Sequence, residues 1–192
     1  MSDTQFDDEI LDSNALSPTD EEGNPVPVTI QIALAPGVTV VYTTRLGGVS
    51  HGDFGDCNLG GKGGDDPQAI LANRVSLAKS IGCGLSLVRQ VHSGRAVDVD
   101  ASWHLNTPFG FDVSGTPGEV TADGEAQAAT VVEADGQVTS RAGVALGMFA
   151  ADCLPVLMAD AQAGVIGAAH CGRKGLQRGI IGATIDEIGN TS

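Results

Sequence analysis

Apolar and polar residues alternate along 28–44 (VTIQIALAPGVTVVYTT) with a period of two, interrupted once by Pro36 and Gly37. That rhythm predicts two strands joined by a tight turn. The period changes at 66. Asp66 is placed to cap a helix, Pro67 suits its first turn, and Ile70, Leu77 and Ile81 form one apolar stripe flanked by Leu71 and Ala78. Gly82 then supplies a stop. Between the two patterns, 45–65 (RLGGVSHGDFGDCNLGGKGGD) has no period and reads as a glycine-rich loop. Its Gly61-Lys62 pair lacks the spacing and the following Ser or Thr of a Walker phosphate loop.

Weak alternation resumes over 85–99, which reads as a strand carrying RQVHS. Residues 101–130 are rich in Gly, Thr, Asp and Ala without period and read as a long loop or partly ordered insertion. Sheet returns over 130–139. Three further segments, 143–150, 154–159 and 164–169, are apolar at nearly every position, which predicts a sheet covered on both faces. A last helix is predicted over 175–188, with Leu176, Ile180, Thr184 and Ile188 on one stripe, Gly179 and Gly182 inside it, and Gly189 as its stop. The whole reads as one α/β domain.

Charge refines this picture. The 192-residue chain has a formal net charge of −14, which argues against a nucleic-acid partner. Eight of its acids lie in 1–27, where there is no Lys or Arg, so 1–27 reads as a disordered acidic tail and 28–192 as the folded domain. Asp152 and Asp160 interrupt the longest apolar run below the ~20 residues that span a bilayer. The acidic N-terminus has none of the marks of a signal peptide, so a cytoplasmic protein with no membrane partner is expected. The four cysteines form no C-x-x-C pair; Cys57 and Cys83 read as structural thiols.

The chemistry concentrates at ADCLPV, 151–156, where an acid and a thiol stand back to back in an apolar run. If 154–159 and 164–169 form a hairpin around the loop 160–163, Cys153 lies directly opposite His170 on one face. Opposed Cβ atoms are ~4.5–5.5 Å apart, close enough for a thiolate and an imidazole to share a metal or to act as nucleophile and base. Cys171 then points to the other face. Of the four histidines, His92 is the best third ligand, since His51 and His104 lie in irregular segments. Three protein ligands leave a tetrahedral position open, as in sites that activate water. Other chemistries stay open: a Cys–His hydrolase, a copper site that adds Met148 or Met158, or a metal-binding scaffold without catalysis.

The segments TTRLGGVS (43–50), CNLG (57–60), GDDP…NR (64–74), RQVHS (89–93), ADGQVTS (134–140), ADCLPVLMAD (151–160) and GVIGAAHCGRKGL (164–176), taken in order, resemble the YfiH family, long labelled polyphenol oxidase or laccase-like. The resemblance implies a layered α/β/β/α sandwich of mixed sheets. It implies zinc held by His92, Cys153 and His170. It also implies phosphorolysis of adenosine, inosine and methylthioadenosine, and deamination of adenosine, with purine nucleoside and phosphate as partners. Some members are linked to editing of peptidoglycan precursors. On this reading Arg45, Arg173, Lys174 and the N-terminus of the last helix are anion anchors, Asn58 and Gln90 bond ribose or base, and Asp152 orients a ligand or takes a proton. Where the family continues AAH with AGWRG, this chain has CGRKG, a change of phosphate geometry. The family's C-terminal glycine-proline-cysteine stretch is missing, so the chain reads as a C-terminally shortened or degenerate member.

Overall fold

The computed structural model describes residues 18–61, 63–100 and 132–192. The predicted insertion at 101–130 and most of the acidic tail lie outside the described residues. Among them, β1 (Thr29–Ala35) and β2 (Val38–Thr43) form the expected hairpin about Pro36 and Gly37. Helix α1 (Pro67–Ile81) begins with the Asp66 side chain accepting from the Gln68 N–H and ends at Gly82, as predicted. Residues 18–27 are folded against α1. The Asp20 carboxylate closes a turn by accepting from the Glu22 and Asn24 N–H groups, and Ser76 Oγ donates to the Pro25 carbonyl.

The predicted strand at 85–99 is two strands, β3 (Gly84–Leu87) and β4 (Ala96–Asp98), with an irregular segment between them. They belong to different sheets. β3 pairs in parallel with β6 (Val144–Gly147). β4 joins a four-stranded mixed sheet in the order β4, β5 (Gly136–Thr139), β8 (Val165–Cys171), β7 (Leu154–Asp160). The run from 143 to 169 therefore does not make one sheet of neighbouring strands. β7 is an edge strand, with Leu154 66% and Leu157 36% exposed, and of β6, β7 and β8 only β8 is buried on both faces.

The two sheets face each other. Ser86 Oγ donates to Gln137 Oε1 (2.7 Å), and Gln137 Nε2 donates to the Gly147 carbonyl (2.9 Å). The outer face of the β3–β6 pair is covered by α1, through Leu77 against Leu85 and Leu87. The outer face of the four-stranded sheet is covered by α3 (Ile180–Thr191), whose Ile180 packs on Ala169 and Cys171. The result is the helix–sheet–sheet–helix layering implied by the resemblance. Burying each such aliphatic side chain contributes roughly 1.5–3 kcal/mol.

Two further expectations are corrected. The last helix is broken: α2 (Arg173–Gln177) is a short turn, and α3 begins after Gly179, whose φ of 77° is left-handed. Helix α3 runs through Gly189 to Thr191. The hairpin loop is 161–164 rather than 160–163. Gly164 takes the left-handed position (φ 71°) that closes it, and the Asp160 carboxylate accepts from the Gln162 and Ala163 N–H groups. His170 therefore pairs with Pro155, and Cys153 sits just outside the strand. The shift moves the pairing by two residues, so the parity survives and Cys153 and His170 stay on one face.

Candidate metal centre

His170 projects from β8 into the space between the sheets and is 5% exposed. Its Nδ1 lies 2.8 Å from Oδ1 of Asp135, itself fully buried. Nδ1 donates there, which leaves Nε2 as the free nitrogen. Cys153 approaches from the turn before β7, and His92 from the segment between β3 and β4. The ligand atoms of His92, Cys153 and His170 all lie within 4.8 Å of one another. The two imidazole rings are 4.8 Å apart, tilted by 52°.

His92 is not in a strand. It is the sole non-glycine residue with positive φ (57°) among the described residues. That conformation is held from outside: the N–H groups of His92 and Ser93 donate to Asp135 (3.0 and 2.6 Å), and the Arg178 guanidinium donates to the His92 carbonyl (2.6 Å). Cys153 and His92 also converge on Gly172, where a Cβ would lie 2.6 Å from His92 Nδ1 and 2.8 Å from Cys153 Sγ.

Burial pushes the Asp135 carboxyl upward. Hydrogen bonds from the His170 ring, the Ser93 hydroxyl and the Ser93 and Val91 N–H groups outweigh it and hold the group below its ordinary value. Cys57 is the opposite case: burial, aided by the Asp56 charge, raises its thiol to about 11, as befits a structural cysteine. Cys171 is also raised by burial and faces α3, away from the trio, as its position in the strand required.

A cavity of about 260 Å³ opens beside the cluster, lined by Gly60, Gly61, Val88, Gln90, Phe149 and the two histidines. Its size is just below the ~300 Å³ at which small-molecule sites begin. A larger groove of about 400 Å³ between α1 and residues 20–25 contains none of the cluster.

The other residues singled out by sequence are placed as follows. The Gln90 side-chain amide pairs with the backbone of Phe149, donating to its carbonyl (2.7 Å) and accepting from its N–H (2.8 Å). Asn58 donates to Asp65 (2.9 Å) and accepts from the Gly60 N–H (3.0 Å) within the glycine-rich loop. Arg45 is exposed, donates to the Asp53 carbonyl and does not line the cavity. Asp152, Arg173 and Lys174 are exposed around the cluster's two sequence neighbourhoods, the last two on α2 rather than on a long helix. Met158 packs beneath α3 with Cys171 and Ile180, on the face away from the trio, which removes it as a copper ligand.

Sequence reasoning missed Asp135, Ser93, Gly172 and Arg178, and the buried pair Asn73 and Arg74. Asn73 accepts from the Val49 N–H and donates to Ser50 Oγ and the Asn58 carbonyl; Arg74 donates to the Leu59 carbonyl. Together they pin the loop that brings Gly60 and Gly61 to the cavity. The available signal for Asp135 was an acid between Ala134 and Gly136 at the mouth of a buried strand.

Residues 39–192 match the family described as multi-copper polyphenol oxidoreductase laccase. A purine nucleoside phosphorylase from Corynebacterium glutamicum is 40% identical over 154 residues, covering 79% of this chain and 54% of the relative. One from Streptomyces griseus is 41% identical over 150 residues, covering 77% and 52%. Among solved structures, a Neisseria meningitidis protein matches with TM-score 0.65 at 29% identity, covering 84% of this chain and 57% of that one. YfiH of Bacillus licheniformis matches with TM-score 0.61 at 28% identity, covering 84% and 55%. The chain spans about half the length of the curated relatives it matches.

Proposed function

The chain belongs to the multi-copper polyphenol oxidoreductase laccase family, and on that premise we propose that it is a metal-dependent purine nucleoside phosphorylase. The observation that carries this reading is the His92–Cys153–His170 cluster at the mouth of a small cavity, in a chain about 40% identical to enzymes of that name.

The donors fit a metal. Two imidazoles and one thiolate suit zinc, and a buried carboxylate on His170 Nδ1 fixes the tautomer such a site needs. The separation of up to 4.8 Å closes to the ~3.5 Å edge of a tetrahedral site by small rotations of the exposed His92 and the half-buried Cys153. Copper is the alternative ion for the same donors. When bound, the ion supplies Lewis acidity at the position the three ligands leave open.

The chain's own residues do the rest. Val88 and Phe149 give the cavity an apolar wall suited to a purine face, while Gly60 and Gly61 let the backbone approach closely. Arg173 and Lys174, on the segment that follows His170, would draw phosphate to the exposed side of the cluster, with Arg45, outside the cavity lining, as a third candidate cation. Asp152 stands beside Cys153 as the carboxylate that orients it or holds a proton. Gln90 and Asn58 are assigned to bracing the walls rather than to ribose or base. Adenosine, inosine and methylthioadenosine are the proposed substrates, with deamination of adenosine as a second reaction of the same centre.

The test is to incubate the protein, with its metal content measured, with inosine or adenosine and inorganic phosphate. Free base and ribose 1-phosphate are expected in equal amounts and are lost on chelation; inosine from adenosine reports the deaminase. Metal-loaded protein that releases no base overturns the reading. A second reading has its own support: Asp135, His170 and Cys153 are ordered as an acid–base–nucleophile triad, which suits a thiol hydrolase. Hydrolysis of an amide that persists under chelator would select it.

A further inference from the structure

We propose that Asp135 is a positioning residue that fixes both histidines of the cluster at once, so that one buried carboxylate, itself no ligand, sets the geometry of the metal site. This rests on the metal reading above.

The two oxygens of Asp135 accept five donors. Oδ1 takes the His170 Nδ1–H (2.8 Å) and the His92 N–H (3.0 Å). Oδ2 takes the Ser93 N–H (2.6 Å), the Ser93 hydroxyl (2.7 Å) and the Val91 N–H (3.2 Å). One set of donors belongs to the turn that presents His92, the other to the ring of His170 on β8. Among the described residues the two segments share no strand pairing, and the carboxylate hydrogen-bonds to both. Three successive N–H groups converge on it while His92 holds a left-handed φ. An imidazole-bearing residue adopts that conformation uncommonly, and here the surrounding bonds impose it.

The backbone supports the same role. The N–H groups of Asp135 and Gly136 donate to the Arg95 carbonyl (3.0 Å each), and the Asp135 carbonyl accepts from the His170 N–H (2.7 Å). Side chain and main chain of Asp135 thus both engage His170. The residue is fully buried, so water cannot replace what it does.

Asparagine has the same size but one accepting oxygen and one donating NH₂ group. It can serve the His170 ring or the Ser93 donors, but its NH₂ must then face a donor on the other side. With the amide oxygen at the Oδ1 position both histidine bonds survive and the NH₂ opposes the Ser93 and Val91 donors that hold the turn of His92; with the amide reversed the NH₂ opposes the His170 and His92 N–H groups, so Asp135→Asn loosens the presentation of His92 in either orientation.

The test uses cobalt(II) as the probe, read by chelator competition, by the visible spectrum and by proton NMR of the paramagnetic protein. Wild type is expected to bind one ion and to show a hyperfine-shifted imidazole N–H protected from solvent exchange, that of His170 on Asp135. The exposed ring of His92 gives no such protection. In Asp135→Asn, affinity falls about 10–100-fold. The His170 N–H, left with a neutral acceptor or none, exchanges faster than in wild type, and the thiolate-to-cobalt band persists at saturation because Cys153 is held elsewhere. Should Asp135→Asn fail to fold, Ser93→Ala decides: it removes one donor from the His92 arm, weakens binding about 2–10-fold and keeps the protected signal. Wild-type affinity in either folded variant, or cobalt-bound wild type without a protected imidazole proton, overturns the proposal while leaving the metal reading intact. Wild type that takes up no ion overturns both.

Discussion

Gly172 faces Cys153 so closely that a Cβ in place of its hydrogen would lie 2.8 Å from Sγ, and the same Cβ would lie 2.6 Å from His92 Nδ1. The backbone there is ordinary (φ −73°, ψ 160°), so any residue could adopt it. The need for glycine comes from the two ligand side chains alone. Gly172→Ala should therefore lower metal affinity by about tenfold or more while costing at most ~1 kcal/mol of stability as a lost N-cap. Metal titration and thermal melting of the metal-free protein separate the two effects. A melting temperature that collapses with affinity intact would assign Gly172 to folding.

Removing the thiolate is the harsher change. Cys153→Ala should leave the purified protein with less than about a tenth of the metal of wild type, since two imidazoles alone bind a divalent ion weakly. Elemental analysis checks this, and any phosphorolysis should disappear with the metal.

Gln90 distinguishes bracing from substrate contact. Its amide satisfies both the N–H and the carbonyl of Phe149, in the segment that leads to Cys153. Gln90→Met leaves both backbone groups without that partner and should cost about 1–3 kcal/mol, a fall of several degrees in melting temperature. If melting is unchanged and KM for nucleoside rises instead, Gln90 binds substrate.

Asn73 organises the glycine-rich loop from the buried face of α1, accepting from the Val49 N–H and donating to Ser50 Oγ and the Asn58 carbonyl. Asn73→Ala should destabilise the protein by about 3 kcal/mol. Limited proteolysis should then cut within 45–65 before any other described segment. Cleavage elsewhere first would show that the loop is held by other contacts.

Asp100 gives a pH signature. Burial raises its carboxyl, but hydrogen bonds from Ser140 Oγ, Thr139 Oγ1 and the Ser140 N–H, with the charge of Arg141, bring it below its ordinary value of 3.8. A group depressed in the folded state stabilises fully above its unfolded pKa. That contribution is lost as pH falls through 3.8 towards the folded value. Asp100→Asn should reduce stability at pH 7 and flatten its decline below about pH 4, as read from urea midpoints across that range. An unchanged acid limb would remove Asp100 from the account.

Local pattern was enough for the β1–β2 hairpin and for α1 with its Asp66 cap and Gly82 stop, because caps, turns and periodicity act over a few neighbouring residues. It also singled out His92, Cys153 and His170, whose ligand atoms the fold brings within 4.8 Å of one another, His92 on the expectation of a strand it does not occupy. The meeting of Cys153 and His170 survived a wrong loop assignment because the face of a strand depends only on parity. Chain pairing over long separations lay beyond that reach. β6 left its sequence neighbours to join β3, the last helix broke at Gly179, and His92 left the strand expected of it for a left-handed turn. Asp135 became visible only when the fold laid 91–93 and His170 against it. A buried carboxylate is defined by the donors that surround it, and these come from segments that no local reading of the chain could bring together.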